Sequence, residues 1–145
     1  MRVYLDTCAI QRPLDDLSQL RVRLEADAVI ALIELCEAGA LELVASSAHD
    51  IENGQNPYPD RHAHAADVIA VAQVFAETTA AVAERAGTYA RSGLRRLDAL
   101  HLASAVESGA AFFCTTDDRL LRVGRDADTR TTAVVSPLEL IAALP

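Results

Sequence analysis

The apolar positions of this chain fall into short continuous runs and longer stretches at helical spacing. Val3-Tyr4-Leu5 predicts a buried first strand that closes on Asp6. Asp15, Asp16 or Ser18 can cap a long helix running to about Gly39, with Leu20, Leu24, Ala28, Ala31, Leu32 and Leu35 at helical spacing. Leu41 to Ala45 reads as a second strand. Ser46 or Ser47 then opens a brief helix that stops near NGQNPYPD, the clearest turn in the chain. Pro59 suits the first turn of a helix over Arg61 to about Val71, and a weak strand is predicted at Gln73 to Ala76. Helices over Thr79 to Arg91 and Leu97 to Ser108 follow, with Gly93 between them and Gly109 after them. AFFCTT is a strong buried strand, TAVVS a final one, and a closing helix starts at Pro137.

Strands alternating with helices predict an α/β sandwich around a mostly parallel sheet. In such sheets reactive groups gather at the carboxyl ends of strands, near the point where strand order reverses. Asp6 and Asp117 are both expected at such ends. The 145 residues suit a single domain, 1–145, with a sizeable core, and 51% apolar residues argue against disorder. No apolar run approaches the roughly 20 residues of a membrane span, and the early charge at Asp6 speaks against a secretory signal. Cys8, Cys36 and Cys114 are far apart, odd in number and without C-x-x-C spacing. They are expected to be reduced, half-buried thiols of a cytoplasmic protein.

Charge narrows the chemistry. The net charge is −8, from 21 acids and 13 bases, and every base is an arginine. Without lysine, a phosphate-binding G-K-[ST] loop and a Schiff-base enzyme are excluded, and a phospho-aspartate receiver is disfavoured.

Four carboxylates stand out: Asp6 after the first strand, Glu52 on the short helix, Asp98 at the start of a helix, and Asp117 just past FFCTT. Gathered in one pocket they would repel one another unless a cation lay between them. Mg²⁺ or Mn²⁺ suits such hard oxygen donors. Each acid also has a plainer use. Asp98 suits a helix N-terminus, Asp117 a turn or cap, and Glu52 a solvated helix face. Asp6, after three apolar residues, is the hardest to account for without a partner.

The segments YLDTCAI, SSAHDIENGQNP and RRLDALHLASAVESGAAFFCTTDDRLL, with a final short strand and helix, resemble the PIN-domain family, specifically its small toxin ribonucleases of VapC type. The resemblance spans nearly the whole chain. It implies a three-layer α/β/α sandwich and a metal-dependent endoribonuclease that leaves a 5′-phosphate and a 3′-hydroxyl. It also implies Asp6, Glu52, Asp98 and Asp117 as Mg²⁺ or Mn²⁺ ligands, RNA as substrate, a homodimer, and an antitoxin partner that inserts an arginine into the pocket. Asp50 shares the middle motif with Glu52, and Asp118 follows Asp117, so two ligand positions have competitors; the spacing from Thr115 favours Asp117. Thr7 and Thr115 beside the strand-end acids, and His101 one turn beyond Asp98, are candidates for contacts to ligands or substrate. The alternative within this fold is a non-catalytic module that binds RNA or protein.

Two other readings fail on the residues. His49-Asp50 with His62 and His64 suggests the metal-binding histidines of an HD-type phosphohydrolase. That fold is all-helical, and His62 and His64 diverge around a helix. A haloacid-dehalogenase-like phosphatase would need an aspartate where Cys8 stands, and a lysine. RNA binding by an acidic chain requires local positive charge. Arg91, Arg95, Arg96, Arg119, Arg122 and Arg125 cluster around two of the four acids and are expected to form that rim.

Overall fold

A computed structural model describes residues 1–145. Its strands are β1 (Arg2–Leu5), β2 (Glu42–Ser46), β3 (Val74–Ala76), β4 (Phe112–Cys114) and β5 (Ala133–Val135). The helices are α1 (Thr7–Gln11), α2 (Leu20–Glu37), α3 (Ser47–Gly54), α4 (Pro59–Ala70), α5 (Ala80–Arg91), α6 (Arg96–Glu107), α7 (Asp118–Asp126) and α8 (Pro137–Ala143). One 3₁₀ turn, Arg12–Leu14, follows α1. No helix is long and apolar enough to cross a membrane.

The five strands form one wholly parallel sheet in the order β3-β2-β1-β4-β5. Alternation along β1 explains its two dry faces. Tyr4 points to one side, where Val44, Phe113 and Val134 meet Val82 and Tyr89 of α5, Leu102 and Val106 of α6, and Leu120 of α7. Val3 and Leu5 point to the other, where Leu43 and Cys114 meet Ile10 of α1, Val29 and Leu32 of α2, Val68 of α4 and Leu140 of α8. Each large apolar side chain buried this way contributes about 1.5–3 kcal/mol. The predicted three-layer α/β/α sandwich is therefore present, with the sheet entirely rather than mostly parallel.

Chain order turns back at β1. The chain steps from β1 to β2 and β3 on one side, then crosses through α5 and α6 to β4 on the other. That reversal opens a crevice beyond the carboxyl ends of β1 and β4.

Several expectations need correcting. None of Asp15, Asp16 and Ser18 caps α2, which begins after Gln19 without a side-chain cap. Asp15 ends the 3₁₀ turn and pairs with Arg12 and Arg61, while Asp16 closes a local turn on the Ser18 amide. Leu20 and Leu24 are exposed; the buried stripe of α2 runs through Val22, Ala26, Val29, Leu32 and Cys36. α2 carries apolar residues on more than one face, so spacing alone does not choose which face meets the sheet. Cys36 and Cys114 are wholly buried, and only Cys8 is half-buried. Gly39 does end α2: it stands just past the C-cap at φ +77°, a conformation that disfavours a Cβ.

Candidate active site

Two short helices that the sequence pattern did not predict, α1 and α7, start directly from strand-end acids. Asp6 extends the ladder of β1 through its amide, which donates to the Cys114 carbonyl at 2.9 Å. Its carboxylate caps α1, Oδ1 accepting from the Thr7 amide at 2.9 Å. Oδ2 accepts from the Thr115 hydroxyl at 3.0 Å and the Cys8 thiol at 3.1 Å. Asp6 is 3% exposed, so these donors hold one carboxylate orientation at the floor of the crevice. Thr115 also accepts the Asp117 amide at 3.1 Å, tying the ends of β1 and β4 together.

Asp117 caps α7, its Oδ1 accepting from the Arg119 and Leu120 amides at 2.9 and 3.1 Å. The cap role and the place at the strand end are both real. Glu52 reaches the crevice from α3, a helix opened by Ser46 through a capping box with His49. His101 Nε2 donates to Glu52 Oε1 at 3.0 Å and lies 3.9 Å from Asp6 Oδ1. One donor atom from each of Asp6, Glu52 and His101 lies within 4.8 Å of the others, a grouping able to hold a metal ion.

Asp98 stands in the first turn of α6, one turn before His101, and its side chain makes no hydrogen bond. Burial, then the charges of Asp6 and Asp117 and, more weakly, Glu52, push its pKa up to about 6. These acids therefore share one electrostatic field. Glu52 responds the other way. Burial acts to raise its pKa, but the His101 hydrogen bond and charge outweigh that and hold it below the usual carboxylate range. His101 is raised in turn, because Glu52, Asp6 and Asp98 outweigh the burial that would neutralise it.

Beneath the acids runs a buried polar chain of which the sequence pointed only to His101. His101 Nδ1 meets the Tyr4 hydroxyl at 2.5 Å, and that hydroxyl meets Ser46 Oγ at 2.6 Å. His49 stacks on the Tyr4 ring, accepts the Ser46 amide at Nδ1 and faces the Leu5 carbonyl with Nε2. The Nε2–H tautomer follows from those two backbone partners. Burial, with the nearby His101, lowers the pKa of His49 to about 3. Tyr4 was legible only as the one polar ring in a buried strand, and Cys8 only as a neighbour of Asp6.

The competing acids are placed elsewhere. Asp50 is exposed on the first turn of α3. Both Asp118 oxygens accept from Arg21 of α2, at 2.9 and 2.6 Å, outside the cluster. Thr7 Oγ1 lies 3.5 Å from His101 Nε2. Arg95 and Arg119 line a small depression with Asp98 and Asp117. Arg96 instead borders an apolar groove with Ile51 and Leu100. Arg91 reaches Thr88 on its own helix, and Arg125 binds the Val134 carbonyl and Glu139. The rim is thus narrower than the arginine clustering suggested. Arg12 and Arg61, distant in sequence, line the main cleft of about 850 Å³ together with Glu52 and Asp117.

The sequence profile of the PIN domain matches residues 3–126. The chain belongs to the PIN domain family. Among solved structures it is similar to VapBC2 from Rickettsia felis bound to a DNA fragment from their promoter, with a TM-score of 0.60 and 13% identity. That match covers 94% of this chain and 98% of the other, and it is a likeness of fold. No curated relative matches the sequence. Of the four acids, Asp6 and Glu52 come together with His101, whereas Asp98 and Asp117 lie outside that group and line a small depression with Arg95 and Arg119.

Proposed function

We propose that this PIN domain protein, residues 1–145 acting as one nuclease domain, is a Mg²⁺- or Mn²⁺-dependent endoribonuclease and the toxin half of a toxin–antitoxin pair. The observation that carries the reading is the grouping of Asp6, Glu52 and His101, with one donor atom of each within 4.8 Å of the others, beside Asp98, whose pKa burial and its acidic neighbours raise to about 6. Carboxylate oxygens, with a single buried imidazole beside them, suit a hard divalent cation. Asp6, Glu52, Asp98 and Asp117 would hold it. When bound, the ion would supply positive charge that lowers the pKa of water and offsets charge on a phosphoryl oxygen.

The chain's own groups have separate tasks in this reading. Thr7, Thr115 and Cys8 orient Asp6 through its two carboxylate oxygens. His101 steadies Glu52, and the Tyr4–Ser46 pair braces His101 from below. Arg95 and Arg119 stand beside Asp98 and Asp117, where an incoming phosphate gains from their charge. A cytoplasmic site of action, a homodimer and an antitoxin partner complete the proposal. Their support is the family, and the likeness to a structure described as VapBC2.

The test is cleavage of single-stranded RNA. Activity should require Mn²⁺ or Mg²⁺, stop with EDTA, and fall by more than about 100-fold in Asp6→Asn, beyond what losing an outer-shell partner usually costs. Intact RNA at high protein concentration with either metal would sink the nuclease reading and leave a non-catalytic binding module.

A further inference from the structure

The main cleft extends well beyond the acids. Its far arm is built from the 3₁₀ turn and the start of α4, and carries Arg12, Asp15, Tyr58 and Arg61. Tyr58 is 65% exposed, the most exposed large hydrophobic side chain of the protein. Its backbone is held tightly. It lies between Pro57 and Pro59, its amide donates to Asn56 Oδ1 at 3.0 Å, and its carbonyl accepts from the His62 amide at 2.9 Å. Its hydroxyl has no hydrogen-bond partner. A rigid loop thus presents an unpaired aromatic ring to solvent at the edge of a polar cleft.

The arm is clamped to the catalytic end. Gln11 Nε2 donates to the Arg61 carbonyl at 2.8 Å, and His64 Nε2 faces the Ile10 carbonyl at 2.8 Å, so α4 is fixed against α1, the helix that Asp6 caps. Arg12 and Arg61 both bind Asp15, at 3.0 and 2.8 Å, which sets the two guanidiniums side by side, and Arg12 also reaches the buried Glu25 at 3.4 Å. Arg12 Nε is buried without a partner. Glu52 and Asp117 line the same cleft at its other end. A chain entering the acid cluster therefore has a preformed continuation past two cations and one ring.

We propose that this arm is a subsite for one unpaired nucleotide flanking the scissile phosphate, with Tyr58 stacking on its base and Arg12 and Arg61 holding its phosphate. The proposal rests on the nuclease reading above. Stacking on an exposed ring needs a base released from a duplex, so the subsite selects single-stranded RNA. It reads a flat face rather than base edges, so it favours a base at that position without demanding a particular one.

The experiment measures kcat/KM in Mn²⁺ on an unstructured oligoribonucleotide and on a series carrying one abasic nucleotide at successive positions. Tyr58→Ala should lower kcat/KM by roughly ten-fold or more on the intact oligomer, the ordinary effect of losing one stacking platform. Tyr58→Phe and Tyr58→Trp should keep it. At one position next to the cut, the abasic substitution should cost the wild type a similar factor and cost Tyr58→Ala nothing further, the coupling expected of groups in contact. Because Tyr58 is exposed, all three variants should keep the wild-type melting temperature. An active wild type whose Tyr58→Ala variant cleaves equally well, or loses equally on intact and abasic oligomers, overturns the subsite alone. A wild type that cleaves no RNA removes the nuclease reading and the subsite with it.

Discussion

Two polar cavities, on different parts of the surface, handle charge in opposite ways. The first, of about 550 Å³, is lined by Arg85, Tyr89, Glu107, Asp128 and Arg130. There Arg85 donates to Glu107 at 2.6 Å, Arg130 approaches the other Glu107 oxygen at 3.6 Å, and the Tyr89 hydroxyl donates to the Asp128 carbonyl at 2.6 Å. Its central carboxylate, Glu107, is answered by two arginines of the protein itself. The second is the crevice of acids, where Asp98 has no hydrogen-bond partner and burial, with the charges of Asp6 and Asp117, pushes its pKa to about 6. Cavity size does not separate the two. The difference lies at Asp98: Glu52 and Asp6 have His101 beside them and Asp117 has the α7 amides, whereas the Asp98 carboxyl has no hydrogen-bond partner.

The sharpest way to test that contrast is to supply the missing charge. Mn²⁺ at about 100 times its dissociation constant should stabilise the protein by about 2.7 kcal/mol, raising Tm by roughly 5–10 °C. Asp6→Asn should lose most of that shift while Arg85→Met keeps it. Equal responses in scanning calorimetry would erase the distinction between the cavities.

Removing charge from the self-paired cavity should do the reverse. Arg85→Met leaves Glu107 largely unanswered, with both side chains of the native pair mostly buried at 16% and 19% exposure. A loss of about 2 kcal/mol is expected in urea unfolding, with RNA cleavage unchanged. A variant as stable as wild type would show that this pair holds little of the fold together.

The smallest effect has a definite sign. A carboxyl at about 6 in the folded protein, against an ordinary value of 3.8, keeps its proton where the unfolded chain has lost it. Stability from this group is therefore full at low pH, falls as pH rises from about 4 to 6, and stays lost above. Asp98→Asn, measured without metal, should match wild type near pH 3.5 and exceed it by about 1 kcal/mol at pH 7, the shift being reduced by partial solvent access. Parallel stability curves for the two proteins would place Asp98 outside the acidic field.

Most elements of the fold were readable because their signals are local. Continuous apolar runs mark β1 and β4, Ser46 opens α3, Pro137 starts α8, and Gly39 stops α2. The two missed helices do have caps, Asp6 and Asp117, but each is short and starts directly from a strand end. α1 is five residues long, too short to show a period, and α7 is held by packing. A Cβ on its Gly124 would lie 3.2 Å from Val134, so this helix is seated by the strand that follows it in sequence. The buried stripe of α2 has the same origin: of the residues at helical spacing Ala28 and Leu32 are buried while Leu20 and Leu24 are exposed, since α8 and the sheet decide which side is covered.

Taken alone, the amino-acid order determined that strands and helices alternate, that acids follow two of the strands, and that no lysine is present to share their chemistry. Only the tertiary structure decided which acids meet. It set Glu52 rather than Asp50 beside Asp6 and His101, and it paired Asp118 with Arg21. It also slid the His101–Tyr4–Ser46 chain beneath the carboxylates and brought Arg12 and Arg61 to the cleft. The reason is range: propensity and capping act over one or two helical turns, whereas these contacts join residues 42 to 109 positions apart. They exist only once the sheet has set its order.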